Sequence, residues 1–344
     1  MHLPPEIFTI IYPYLSLRDI SSLVLTCREV NEWVNMNDVI REYYLIGCVW
    51  MESIVITSCR RGYINLLMYL HRTKNSIPDE AMILAVRNGH LSIVKYLHSI
   101  MVNPTFSDNH LMKTASSYGH LPIVEYLYTI GVDPTVYDNI SIKWASSYGH
   151  LSVVKYLHSV GADPTVDDND PLKRASYSGH HLVVEYLCSV GADPAANDNY
   201  SIKWAGEMGH LPVVKCLHSA GADPTVNDND IIKWASQRGH LPVVKYLYSV
   251  GADPTAQNNY AIRWASANGH LSVVKYLYSV GADPTANNNK PIRWACKNGH
   301  LAVVEYLHSV GADITVKNNS PIKLARRVRH DSIVEYLRKN GAMD

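Results

Sequence analysis

The sequence carries no surplus of charge, no apolar run of membrane length and no cysteine arrangement that suggests a framework. Over 344 residues, 31 Lys+Arg stand against 31 Asp+Glu, so no bulk field draws the chain to nucleic acid or a membrane surface. With 47% apolar and 18% charged residues, a disordered polyelectrolyte is excluded too. The longest apolar run, 43–51, is broken by Gly47 and stopped by Glu52, well short of the roughly 20 residues a span needs. Cys27, Cys48, Cys59, Cys188, Cys216 and Cys296 fall at neither disulfide nor ligand spacing and read as buried thiols of a reducing compartment. The opening Met1-His2-Leu3-Pro4-Pro5 has neither the basic region nor the apolar core of a secretion signal. The expected location is therefore intracellular, in the cytoplasm. Glycine-rich phosphate loops, nucleophile elbows and a helical His-Glu-x-x-His are missing as well. No catalytic, cofactor-binding or metal-ligating residue is expected, and the chain is not read as an enzyme.

What the sequence has in abundance is itself. Gly-His recurs at Gly89-His90, Gly119-His120, Gly149-His150, Gly179-His180, Gly209-His210, Gly239-His240, Gly269-His270 and Gly299-His300, always 30 residues apart, with Arg329-His330 as a ninth copy and Gly62-Tyr63 as a degenerate tenth. Around each lies the same sentence: Ile142-Lys143-Trp144-Ala145, then Leu151 to Leu157, then Gly161-Ala162-Asp163-Pro164. Leu151, Val154 and Leu157 share one helical face, which predicts an amphipathic helix over 151–160. Gly161 suits its C-terminal cap, and Pro164 cannot continue it. A shorter helix is expected over about 140–148, capped by Asp138 or Asn139 and closed at Gly149. Neither helix can bury its apolar face within one repeat, so stability must come from stacking on neighbours.

This wording, G-H-L-x-V-V-K-Y-L-x-S-x-G-A-D-P, resembles the ankyrin repeat over roughly 290 of the 344 residues. The resemblance implies an all-α solenoid of about ten helix-turn-helix units over 51–344, the first and last being atypical caps. Its usual period is 33 residues, and the three missing here fall in the loop that forms the family's hairpin finger. That loop reads Asp-Asn-Ile or Asn-Asn-Tyr, with no glycine to supply the positive φ of a tight hairpin, so shortened fingers with little or no strand are expected. The 30-residue dialect with Ile-Lys/Arg-Trp-Ala is similar to long ankyrin arrays of giant DNA viruses, which would place the protein in a host cell.

Residues 1–50 differ in kind: they lack the Gly-His signature and carry six acids against three bases. Helical turns are expected from Leu3-Pro4-Pro5-Glu6-Ile7 through Tyr14-Leu15, from Leu17 to Cys27, over Arg28 to Val34 and over Val39 to Leu45. The order L-P-x-E-I, I-x-x-Y-L, Arg-Asp-Ile, L-T-C-R and Asn-x-Trp-Val is similar to the F-box, a small helical segment that docks on a Skp-type adaptor of cullin ubiquitin ligases. The resemblance implies Leu3, Pro4, Ile7, Ile11, Leu15 and Leu23 as adaptor-facing positions. The alternative is a helical cap on the end of the solenoid.

Several columns invite chemistry. The repeat histidines cannot share one ion, because stacked helices sit about 8–10 Å apart and zinc holds ligands at about 2.0–2.3 Å. A turn histidine hydrogen-bonding backbone in every repeat is expected instead, and His98, His158, His218 and His308 meet the same objection. Trp144, Trp204, Trp234, Trp264 and Trp294 are expected to pack in the core, as are Tyr96, Tyr126, Tyr156, Tyr186, Tyr246, Tyr276, Tyr306 and Tyr336, with hydroxyls on backbone or water. The basic ladder Lys113, Lys143, Lys173, Lys203, Lys233, Arg263, Arg293 and Lys323 could follow a phosphate backbone. Asp133, Asp163 and their equivalents are placed to neutralise it, and nucleic acid is not the expected partner.

Specificity should sit in the columns that vary, at the shortened finger and late in the first helix. In ankyrin proteins those elements line the concave face, which implies Tyr177, Tyr200, Glu207 and Tyr260 as partner contacts. Neutral variation of solvated positions is the competing reading. In the last repeat Arg326, Arg327 and Arg329 give the polar end that a capping repeat requires. The functional expectation is a monomeric, non-catalytic protein-interaction chain, acting as a substrate receptor for a Skp-cullin-type ubiquitin ligase or as a scaffold or sequestering protein with no such link.

Overall fold

A computed structural model describes residues 51–72, 76–78, 80–100 and 110–343. The six adaptor positions from Leu3 to Leu23 lie outside the described residues. Those described form twenty α-helices and no strand, and no helix among them is long and apolar enough to cross a membrane. In order they are α1 Met51–Arg61, α2 Ile64–Arg72, α3 Glu80–Arg87, α4 Leu91–Ser99, α5 His110–Ser117, α6 Leu121–Thr129, α7 Val136–Ser147, α8 Leu151–Ser159, α9 Val166–Ser178 and α10 His181–Ser189. There follow α11 Ala196–Met208, α12 Leu211–Ser219, α13 Val226–Arg238, α14 Leu241–Ser249, α15 Ala256–Ala267, α16 Leu271–Ser279, α17 Ala286–Asn298, α18 Leu301–Ser309, α19 Val316–Arg327 and α20 Asp331–Lys339. Odd-numbered helices are the first of each pair and even-numbered ones the second.

The chain divides into two compact units, one taking the described residues up to Ala145 with Ser152–Asp163, the other Ser146–Leu151 and everything from Pro164 onward. Within the first, α1 stacks on α3 and α3 on α5. Within the second, α9, α11, α13, α15, α17 and α19 stack in series, as do α10 through α20 on the other side of each pair. Each unit thus has the one-dimensional order of an ankyrin-repeat solenoid, in which a repeat packs only on its neighbours.

The core comes from the second helix, through triplets such as Val153, Val154 and Leu157 or Val213, Val214 and Leu217, all fully buried. Ile142 and Ala145, with Ile202 and Ala205 and their equivalents, answer from the first helix. The helix expected over 151–160 spans Leu151–Ser159 and ends as its glycine requires. Gly161 sits at φ 103°, and the Ala162 N–H donates to the Leu157 carbonyl at 3.0 Å, a left-handed C-terminal cap.

The tyrosine column is not core. Tyr126, Tyr156, Tyr246 and their equivalents are half-buried, because the inward sector is filled by residues two and three positions earlier and one later. Each ring packs on the preceding repeat instead. The Tyr126 hydroxyl meets His98 Nδ1 at 2.7 Å, the Tyr246 hydroxyl meets His218 Nδ1 at 2.7 Å, and that of Tyr336 meets His308 Nδ1 at 2.9 Å. These histidines are therefore hydrogen-bond partners of tyrosine. Where tyrosine replaces the histidine, the rings meet edge to face, as Tyr248 and Tyr276 do at 6.2 Å.

The shortened finger departs from expectation in how it turns. Three successive residues in each of seven fingers are left-handed, for example Tyr137, Asp138 and Asn139 at φ 50°, 52° and 58°. Asn and Asp tolerate that region better than other non-glycine residues, so the loop dispenses with glycine without forming a hairpin. The expected cap does a different job: Asn139 Oδ1 accepts from Asp163 N at 2.9 Å, and the same bond recurs from Asn229 to Asp253 and from Asn259 to Asp283, both at 2.8 Å. Within the second unit each finger from Asn169 to Asn289 is tied in this way to the loop that leads into the next one.

Candidate functional site

The face that could receive a ligand is built from the fingers and the first helices, and it is described here within the second unit. The core side of a first helix is fixed by Ile232, Ala235 and Ser236, all buried. Trp234 lies two residues after Ile232, about 200° round a helix of 3.6 residues per turn, and so points away from the core. It is 37% exposed, and Trp204, Trp264 and Trp294 are half-buried. This corrects the expectation that the tryptophan column fills the core: that column is the floor of a surface.

Part of the basic ladder has gone the opposite way. Lys233 is 2% and Arg263 8% exposed, one residue from the core position and folded back beneath the aromatics. Their donors serve the left-handed fingers: Arg263 Nη2 donates to the Gln257 carbonyl at 3.1 Å, Lys323 Nζ to that of Asn318 at 2.8 Å and Arg293 Nη1 to that of Asn288 at 3.3 Å. Three of the repeated aspartates have another use. Asp223, Asp253 and Asp283 accept instead from the backbone N–H and hydroxyl of the threonine two residues on, at 2.7–2.8 Å. Lys233 pairs with a different acid, Asp230, whose Oδ1 lies 2.6 Å from its Nζ.

Of the expected contact residues, Tyr177 and Tyr200 are brought together. They are 49% and 41% exposed, and both rings lean on Trp204, with centroids at 5.0 and 5.6 Å. Tyr260 is half-buried between Trp234 at 6.2 Å and Trp264 at 5.7 Å, and its hydroxyl donates to Gln237 Oε1 at 3.4 Å. Trp264 in turn meets Trp294 edge to face at 4.8 Å. Burial raises the Tyr260 phenol above its ordinary value and the nearby Arg263 opposes the shift, so it stays a neutral donor. Glu207 is half-buried and bound to Arg238 of the next repeat at 2.7 Å, a link between repeats before it is a ligand contact. Residue-type variation pointed to the tyrosines but missed the four tryptophans, whose offset from the buried isoleucine is the signal that marks them.

The repeat histidines do what their spacing predicts. His90, His120, His180, His210, His270, His300 and His330 each donate from Nε2 to a carbonyl of the preceding repeat, at 2.9–3.2 Å. A carbonyl can only accept, which fixes the proton on Nε2. The cysteines are equally quiet: burial pushes Cys59, Cys188 and Cys296 up to about 12, so they stay protonated thiols. Among the described residues no three metal-ligating side chains come together. Such a face is equipped for binding, since aromatic rings offer large apolar area with few rotatable bonds.

A family model described as ankyrin repeats (3 copies) matches residues 54–138, 111–198, 202–288 and 262–343. Among solved structures, the crystal structure of the human ASB11 ankyrin repeat domain aligns with a TM-score of 0.53 at 19% identity, covering 59% of this chain and 98% of that one. At that identity the likeness is one of fold. No curated protein matches the sequence. The chain belongs to the ankyrin repeat family, whose stacked helix pairs are modules for binding other proteins.

Proposed function

We propose that the chain is a non-catalytic substrate receptor: residues 1–45 recruit a Skp-type adaptor and its cullin ubiquitin ligase, and the finger and first-helix face of the array holds the protein to be modified. The observation that carries the second half is the exposed pair Tyr177 and Tyr200 set on Trp204, with Tyr260 between Trp234 and Trp264. Aromatic anchors of this kind dominate protein interfaces. The first half rests on the F-box-like order of residues 1–45, with Leu3, Pro4, Ile7, Ile11, Leu15 and Leu23 as the adaptor contacts. The setting that goes with this reading is the cytoplasm.

The test is a pull-down of purified full-length protein with a Skp-type adaptor, beside a Leu3→Ala, Pro4→Ala, Leu15→Ala triple variant shown by circular dichroism to keep its helix content. Binding by the wild type and its loss in the variant are expected. No binding by the wild type would reduce the first segment to a cap and leave an ankyrin scaffold or sequestering protein.

A further inference from the structure

Near Lys290 the finger and first-helix face changes sign. The residue that opens the right-handed part of the first helix is acidic in two repeats of the second unit, and there it neutralises a cation of the same helix. Asp170 Oδ2 lies 2.6 Å from Arg174 Nε, and Asp230 Oδ1 lies 2.6 Å from Lys233 Nζ. At the corresponding place two repeats further on stands Lys290, which adds a cation where the others supply its partner.

Its neighbours deepen the imbalance. Lys290 Nζ rests 4.2 Å from the centroid of Trp294, Trp294 meets Trp264 at 4.8 Å, and Arg263 Cζ is 5.6 Å from the centroid of Tyr260. The Lys290 ammonium is held below its ordinary value by desolvation, then by Arg263 and Arg293. All the charged groups felt there are positive, so the three cations share one locality. The acid nearest on the finger side, Asp230, is felt at Tyr260 but is itself paired with Lys233. From 254 to 304 the only acidic residue is Asp283, and its Oδ1 is engaged by Thr285 N and Oγ1 at 2.8 and 2.7 Å. Arg263 and Arg293 each anchor one N–H on a finger carbonyl, and the Nε of each is buried without an acceptor. A guanidinium has five N–H donors, so with Nε closed off and one Nη bond made, each arginine is fixed in place and keeps the remaining Nη donors for an anion.

Fixed guanidinium groups and an ammonium seated on an indole, in a stretch with one acidic residue, suit a doubly charged oxyanion. We infer that Lys290, Arg263 and Arg293 form a receptor for a phosphomonoester carried on an extended segment of the protein partner, with Trp264 and Trp294 as the apolar floor beside it. Two arginines and a lysine balance a phosphate dianion better than a single carboxylate. The inference rests on the reading of this face as a protein-binding surface, and it names one chemical group that the surface selects.

The test is isothermal titration of the full-length protein, at constant ionic strength, with four probes: a blocked Gly-Gly-phosphoserine-Gly-Gly peptide, its serine and glutamate counterparts, and inorganic phosphate. The phosphopeptide is expected to bind about tenfold or more tightly than either counterpart, with inorganic phosphate competing for the same site. Lys290→Asp, which installs the residue that Asp170 and Asp230 show the fold accepts, is expected to remove that preference. Lys290→Met, which drops the charge and keeps a long side chain, is expected to weaken it. Equal binding of the glutamate peptide, affinity for inorganic phosphate without any for the phosphopeptide, or unchanged binding by Lys290→Asp would each overturn the proposal. Partner capture through Tyr200 by a protein with no phosphopeptide preference would overturn this inference alone. Loss of partner capture with the preference intact would instead strike the broader reading.

Discussion

Gly206 and Ile231 are fitted to each other across one repeat boundary: a Cβ added to Gly206 would run into Ile231 Cγ2. In the neighbouring repeats the Gly206 column holds Ser146, Ser176, Ser236 or Ser266, and the Ile231 column holds a smaller residue such as Ser201, Ala261 or Pro291. Here the large Ile231 is matched by a residue with no side chain. Gly206→Ser is expected to cost about 1–3 kcal/mol through overpacking. Ile231→Ser alone is expected to lose about 2–5 kcal/mol of buried side chain. Combining them restores the Ser176–Ser201 arrangement, so the double variant should be more stable than the sum of the single costs predicts, by about 0.5–3 kcal/mol. Urea denaturation of the four proteins measures this directly, and additive costs would mean the two residues are not coupled.

The asparagine that ends each left-handed finger serves two purposes that substitutions can separate. Asn229 sits at φ 64° and its Oδ1 accepts from Asp253 N at 2.8 Å. Asn229→Gly keeps the backbone freedom and loses the acceptor, a cost of about 1 kcal/mol. Asn229→Ala loses both, adding about 1–2 kcal/mol for the left-handed conformation of an ordinary L-residue. Equal stabilities of the two variants in denaturant would show that the left-handed turn carries no cost here.

Three of the repeat histidines make the array sensitive to acid. His180, His240 and His270 are held below their ordinary value of 6.5, chiefly by burial and further by neighbouring histidines, with a carbonyl hydrogen bond opposing the shift. Because their folded pKa lies below the unfolded one, the unfolded chain binds protons first as pH falls. Their contribution is fully present above about pH 6.5 and is lost on acidification from there down to the folded values. Thermal melts between pH 8 and 5 should show stability dropping below about 6.5, with a shallower drop for His240→Gln. A flat profile across that range would contradict the assignment.

Much of the architecture was legible because it is repeated. The 30-residue interval of Gly-His and the apolar face of Leu151, Val154 and Leu157 predict the second helix and its glycine stop, and the histidine-to-backbone bond follows from the turn itself. The fingers were harder, because Asp-Asn before a helix reads as a cap, and only the backbone reveals that Asn139 reaches forward to Asp163. Trp234 was misjudged for a related reason. Its column is apolar in every sense that composition can register, and only its 200° offset from Ile232 turns it outward. The buried cations Lys233 and Arg263 are hidden from the sequence in the same way, since a lysine or arginine reads as solvated until its acceptor is seen, a carboxylate for Lys233 and a finger carbonyl for Arg263.

The tryptophans and tyrosines of this face should matter more for binding than for folding. Tyr200→Ala and Trp234→Ala remove rings that are 41% and 37% exposed, so each is expected to cost no more than about 1 kcal/mol of stability. An interface anchor of this type typically carries more than about 2 kcal/mol of affinity, some thirtyfold in Kd. Circular dichroism melts beside calorimetric titration of the identified partner separate the two quantities.

The central claim is that the finger and first-helix face, and not the second-helix face, receives the partner. It is tested most directly by placing a photoreactive benzoyl amino acid at Tyr200 or at Tyr248, which lies on a second helix and is equally exposed at 41%. The account predicts that irradiation in cells links a protein to position 200 and not to position 248, and that Tyr177→Ala sharply lowers the yield. Adducts at position 248 with none at position 200 would place the binding surface on the other side of each repeat and contradict the account.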